Sequence, residues 1–181
     1  MLALFLIETK DKNHDSDYMY IKAFLEQFYI IGNNIKLQPI YLNGKNNYCK
    51  KEAIIKNAVK AYCSAPQSDK KVNIFLCVDT DDITGGQAAE NAILNEAISK
   101  YCKQKSWELI WFCENVEEAF LGRKVHSSEK VKMAGQFYTN GGIKDVNPEK
   151  LSIKKYEQLR RGTSTIATAL DRVFKREIIM S

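Results

Sequence analysis

Apolar and polar positions follow two rhythms along this chain. Leu2–Ile7 is an unbroken apolar run closed by Glu8, which predicts a buried strand over residues 2–8. After the polar stretch Lys10–Asp17, Tyr18, Ile21, Phe24, Leu25, Phe28 and Tyr29 recur at helical spacing. Asp15, Ser16 or Asp17 would cap that helix and Gly32-Asn33 would end it. Ile35–Leu42 reads as a second strand, with Asn43-Gly44 and Asn46-Asn47 as loop punctuation. Ala53, Ile54, Ala58, Val59 and Tyr62 predict a second helix, closed by Ser64-Ala65-Pro66-Gln67. Val72–Val78 is the clearest strand and runs into Asp79-Thr80-Asp81-Asp82. Gly85-Gly86 then leads to a helix carrying Ala89, Ile93, Leu94, Ala97, Ile98 and Tyr101. Trp107–Cys113 is a fourth strand, followed by Glu114-Asn115 and a short helix through Glu117, Glu118, Phe120 and Leu121. Residues 123–150 read as loop, with Gly135, Asn140-Gly141-Gly142 and Pro148 as breakers. The chain closes on a helix whose stripe is Ile166, Leu170, Val173 and Phe174.

Strands alternating with helices predict a doubly wound α/β domain, a Rossmann-like open parallel sheet with helices on both faces. Its strands fall near residues 2–8, 35–42, 72–78 and 107–113. We expect residues 1–122 to form this domain and residues 123–181 a basic C-terminal extension packed on it. A chain of 181 residues buries enough surface to fold without a disulfide or metal staple. The apolar opening Met1–Ile7 is shorter than a membrane span and lacks the flanks of a signal peptide. The five cysteines include no C-x-x-C pair and read as reduced thiols, so a cytoplasmic location without a membrane partner is expected.

Charge sharpens the picture because it is uneven. Residues 1–80 carry 11 Lys/Arg against 8 Asp/Glu, residues 81–122 carry 3 against 8, and residues 123–181 carry 13 against 6. An acidic middle beside a basic final third suits a cation-binding centre flanked by a phosphate-binding surface; ordinary solvated charge is the plainer alternative. With a 2-1-3-4 strand order, strand one neighbours strand three, and ligands sit beyond the carboxyl ends of strands at that reversal. Glu8 ends the first strand and Asp79 and Asp81 end the third, which places three acids on one edge. In extended backbone Asp79 and Asp81 would share a face. Three hard oxygen donors suit Mg²⁺ or Mn²⁺, although strand-ending acids also cap helices and close turns.

Those residues also carry a family resemblance. Leu4-Phe5-Leu6-Ile7-Glu8 followed by Ile74-Phe75-Leu76-Cys77-Val78-Asp79-Thr80-Asp81-Asp82 resembles the TOPRIM (topoisomerase–primase) domain pattern. Asn115-Val116-Glu117-Glu118-Ala119-Phe120-Leu121 is similar to a segment of the small bacterial RloB-like and OLD-type TOPRIM proteins. The resemblance covers residues 1 to about 122. It implies a metal-dependent phosphodiester site and hence a nuclease acting on DNA or RNA, in phage defence or its counterpart. Glu8 would serve as general base or metal ligand, Asp79 and Asp81 would bind Mg²⁺ or Mn²⁺, and Asp82 would supplement them. Glu118, with Glu117, would orient a second metal; the plainer reading of Glu118 is an exposed first-turn acid. An ATPase partner protein is implied as well, since this chain carries no ATPase motif, and a homo-oligomer is left open. The rival reading is a non-catalytic TOPRIM-like module that binds nucleic acid or protein.

The basic residues Arg123, Lys124, Lys130 and Lys132, with Lys154, Lys155, Arg160 and Arg161, are candidates for phosphate contacts. Phe137 and Tyr138 lie between these groups, as base-stacking surfaces or as core aromatics. Other chemistries fit poorly. His14 and His126 are the only histidines, against a His-based zinc site. Cys77 and Cys113 lie inside apolar strands. Neither G-x-x-x-x-G-K-[ST] nor G-x-G-x-x-G occurs where a nucleotide site needs it. A haloacid-dehalogenase-like phosphatase would carry its D-x-D after strand one, where only Glu8 stands.

Overall fold

β1 (Leu2–Ile7), β2 (Lys36–Tyr41), β3 (Val72–Asp79) and β4 (Glu108–Phe112) form one all-parallel sheet in the order β2-β1-β3-β4. This computed structural model describes residues 1–177. Every residue of β1 is buried, as its position between two strands demands, and its side chains divide by parity. Ala3, Phe5 and Ile7 enter one apolar core; Leu2, Leu4 and Leu6 enter the other. Pro39 is accommodated because β2 is an edge strand, where a missing N–H disrupts no second ladder.

One face is covered by α1 (Ser16–Phe28), α4 (Val116–Leu121), α5 (Lys130–Thr139) and α6 (Ile166–Leu170). The opposite face carries α2 (Glu52–Cys63) and α3 (Ala88–Lys105), which bury Ile55, Ile98 and Cys102. Among the described residues no helix is long and apolar enough to cross a membrane. Cys77, Cys102 and Cys113 are buried, as the apolar runs around Cys77 and Cys113 lead one to expect.

Two expectations for the final third need correction. The segment read as loop contains α5 and short 3₁₀ turns at Ser127–Glu129, Gly142–Asp145 and Pro148–Leu151. α5 was invisible to periodicity because only Ala134 and Phe137 are buried on it, with Gly135 between them. Tertiary packing holds it: the Phe137 ring lies 4.8 Å from Tyr20 of α1 and 5.8 Å from Phe120 of α4. Phe137 is therefore core, while Tyr138 is half-buried and donates to Glu26 on α1. The terminal helix also stops at Leu170. Beyond it the chain turns so that Phe174 enters the core and Arg176 bridges to Tyr29, a contact that a continuous helix would forbid.

Gly142 closes the α5 corner at van der Waals limit, where an added Cβ would stand 2.7 Å from the Phe137 ring. We expect Gly142→Ala to destabilise the fold by about 1–3 kcal/mol through overpacking. Urea denaturation checks this; a midpoint equal to that of the parent would mean that the corner is loosely packed.

Candidate functional site

Strand register brings Glu8 and Asp79 to one edge. Ile7 pairs with Cys77 across β1 and β3, so Glu8 and, one residue further along its strand, Asp79 emerge at the same edge, where the strand order reverses. The Asp79 N–H donates to Glu8 Oε2 at 3.3 Å. Both side chains are half-buried.

Two further acids join them from the helices. Asp17, in the first turn of α1, and Glu117, in the first turn of α4, are 9% and 0% exposed. Glu117 Oε2 accepts from Lys130 Nζ at 3.0 Å, while Glu117 Oε1 is buried without a partner. Burial raises the Glu8 carboxyl above its ordinary range, and the Asp81 charge adds to the shift. Asp79 is pushed up well above its usual value by burial, then by Glu8, Asp17 and Glu117, with Lys130 opposing. Asp17 is pushed up to about 7, by burial first and then by the charge of Glu117. This is the signature of carboxylates sharing a space with too few cations.

The D-x-D motif does not act as one unit. β3 ends at Asp79, Thr80 N–H donates to Phe112 O, and Asp81 N–H donates to Glu114 O as the chain hooks over β4. Asp81 adopts a left-handed φ of 56°, so the expectation that the two acids share an extended face is overturned. Asp81 is 48% exposed on its side chain and pairs with the buried Lys45. Asp82 serves the next turn instead, accepting from the backbone of Thr84 and Gly85 at 3.0 and 2.6 Å.

Glu118 is 1% exposed, against the reading of an exposed first-turn acid. Asn115 caps α4 by accepting from Glu118 N at 2.9 Å, and its amide donates to Glu118 Oε1 at 3.1 Å. Arg161 donates to Glu118 Oε2, and Lys124 lies 3.8 Å from Oε1. The acidic middle and the basic final third are thus adjacent, yet three of the candidate phosphate contacts, Lys124, Lys130 and Arg161, already face acids of α4 or its approach. Arg160 is exposed and, with Thr80 and Tyr156, lines a cleft of about 240 Å³. Arg123, Lys132, Lys154 and Lys155 are exposed on the surface.

Sequence reasoning treated Asp17 as a helix cap and passed over Lys45. Neither carries a local signal, because its role depends on a partner remote in sequence. Among the described residues no group of three or more His, Cys, Asp or Glu stands arranged to hold a metal ion. The donor chemistry of Glu8, Asp79 and Glu117 nevertheless suits a hard divalent cation. All three offer carboxylate oxygen, one oxygen is an unpartnered buried atom, and their mutual repulsion is what such an ion would relieve. No family model, curated protein or solved structure compared with this chain matches it.

Proposed function

We propose that the protein is a divalent-metal-dependent phosphodiesterase of nucleic acid, a TOPRIM-type nuclease. The observation that carries this reading is the meeting of Glu8 and Asp79 at the reversal point of a 2-1-3-4 parallel sheet, with Asp17 and Glu117 crowding the same space. Glu8, Asp79 and Glu117 would hold the ion. Bound there, Mg²⁺ or Mn²⁺ would polarise the scissile phosphate and acidify a water. Glu8, whose Oε2 accepts the Asp79 N–H, would be the group to take a proton from an attacking water. The crowded acids repel a polyanion until a cation neutralises them, which makes substrate approach depend on the loaded ion. Action in phage defence beside an ATPase partner belongs to the same proposal, on the strength of the TOPRIM resemblance alone.

The rival reading, a non-catalytic binding module, draws on the ion pairs that engage Lys124, Lys130 and Arg161 with acids of their own chain. Purified protein assayed with Mg²⁺, Mn²⁺ or chelator on single- and double-stranded DNA and RNA separates the two. Metal-dependent cleavage lost in Glu8→Gln supports the nuclease; binding without cleavage under every condition hands the protein to the rival.

Arg160 supplies a separate prediction for the binding surface. Among the described residues its guanidinium donates only to the Glu157 and Leu159 carbonyls of its own turn, so it can meet a phosphate without breaking an ion pair there. Arg160→Ala is expected to weaken binding equally across sequences and to lower the slope of log affinity against log salt by about 1. An unchanged slope in a salt series would remove Arg160 from the interface.

A further inference from the structure

We infer that Lys45 is a built-in second cation of this site, so that the site takes a single divalent ion. The inference rests on the metal-dependent reading above and deepens it.

Lys45 is 5% exposed, an uncommon burial for a lysine unless it is paired. Its ammonium donates to the Asp79 carbonyl at 3.0 Å, to Asp81 Oδ2 at 2.5 Å and to Asn95 Oδ1 at 3.3 Å. The three N–H donors of the ammonium thus meet a carboxylate, a backbone carbonyl and a side-chain amide oxygen. These are the oxygen classes from which proteins build sites for hard metal cations.

The surroundings hold this cradle in place. Asn95, 1% exposed, is oriented by donating its amide to Thr80 O and to Tyr156 Oη, each at 3.0 Å. Gly44, at φ 102°, starts the 3₁₀ turn Lys45–Asn47, a backbone region that a glycine enters at little cost. Gly44 N–H donates to Glu8 O at 2.8 Å and Asn43 N–H to Thr9 O at 3.1 Å, which pins the Lys45 loop to the end of β1. The left-handed backbone of Asp81 presents its carboxylate to the ammonium.

The two acids of the D-x-D motif are thereby divided between two cation positions. Asp79 shares the field of Glu8, Asp17 and Glu117, where the divalent ion is proposed to bind. Asp81 is held by Lys45. A fixed ammonium carries charge to that position without a second ion, and it blocks the oxygens a second ion would need. Removing it should convert a one-ion site into a two-ion site.

The test counts ions and needs no cleavage. Calorimetric titration of the full chain with Mn²⁺, together with electron paramagnetic resonance of bound Mn²⁺, should give one ion per chain for the parent and for Lys45→Arg. It should give two for Lys45→Ala, and Lys45→Gln serves if the alanine variant fails to fold. Asp79→Asn should weaken the parent's single site at least tenfold. Two ions in the parent, or one ion in Lys45→Ala or Lys45→Gln with affinity unchanged, overturns the inference and leaves the metal-dependent reading standing. No ion in the parent overturns both.

Discussion

Asp79→Asn is expected to lower metal-dependent cleavage by about 100- to 10,000-fold, the range for losing a group that acts on the transition state, while nucleic-acid affinity stays level or rises. Asp79 terminates a central strand and its carboxyl lies within the field of three other acids, so the amide removes a carboxylate oxygen proposed to hold the ion with almost no change of volume. Charge loss also lessens the repulsion felt by a phosphate backbone, which is why affinity should not fall. Folding provides the control. A carboxyl whose burial and neighbours raise its pKa disfavours the folded state once ionised, so Asp79→Asn should be at least as stable as the parent at pH 8. Cleavage within tenfold of the parent, in a variant that is equally stable, would reduce the acids at this edge to a structural role.

Lys130→Met should destabilise the protein by about 2–3 kcal/mol at pH 8. Breaking a fully buried pair costs about 3–5 kcal/mol, and Lys130 is 34% exposed, which screens part of the loss. Burial alone would lower the Lys130 pKa, but the charge and hydrogen bond of Glu117, with Asp79 and Asp17, leave it raised. It therefore stays charged across the physiological range, and its contribution is lost only as pH rises through that raised value.

The acids give the effect a pH signature. Asp17 titrates near 4 in the unfolded chain and is pushed up to about 7 in the fold. A raised folded pKa contributes stability below the unfolded value and loses it as pH climbs through the folded one. Parent stability should thus fall between about pH 4 and pH 7 on account of Asp17. Without Lys130, which opposes the upward shifts of Asp17 and Asp79, that fall should steepen. Denaturant unfolding of parent and Lys130→Met at pH 5 and pH 8 measures it. An equal loss at both values would mean that Lys130 contributes packing rather than charge.

A site built this way separates its duties along the chain. Acids at the strand ends and on the first turns of two helices set up a field that attracts cations. The final third supplies both the ammonium that tempers this field and an exposed arginine beside the cleft. The ion pairs of Lys124 and Arg161 with Glu118 tie that third to α4 and leave fewer charges for a substrate than the net charge of the segment suggests.

Much of the fold was legible because its signals are local. Leu2–Ile7 and Ile74–Val78 are apolar without interruption, as central strands covered on both faces must be, and the helices between them repeat with a period near 3.6. α5 escaped because a single glycine and two buried residues leave no stripe, and its stability comes from Tyr20 and Phe120, over 15 residues away in the chain. The D-x-D was legible as a pair of acids but not as a divided pair, since the turn at Asp81 is imposed by the Glu114 carbonyl.

The sequence by itself determined the parallel α/β class, the strand order's consequence that Glu8 and Asp79 share an edge, and the presence of an acidic middle beside a basic end. Apolar periodicity and strand-ending acids encode these directly, because each depends only on neighbours within one element. Only the tertiary structure decided that Asp17 and Glu117 complete the acidic cluster, that Glu118 belongs to Arg161, and that Lys45 holds Asp81. Those assignments depend on which charges meet in a half-buried space, where a few ångströms decide between repulsion and pairing, and no spacing along the chain records such distances.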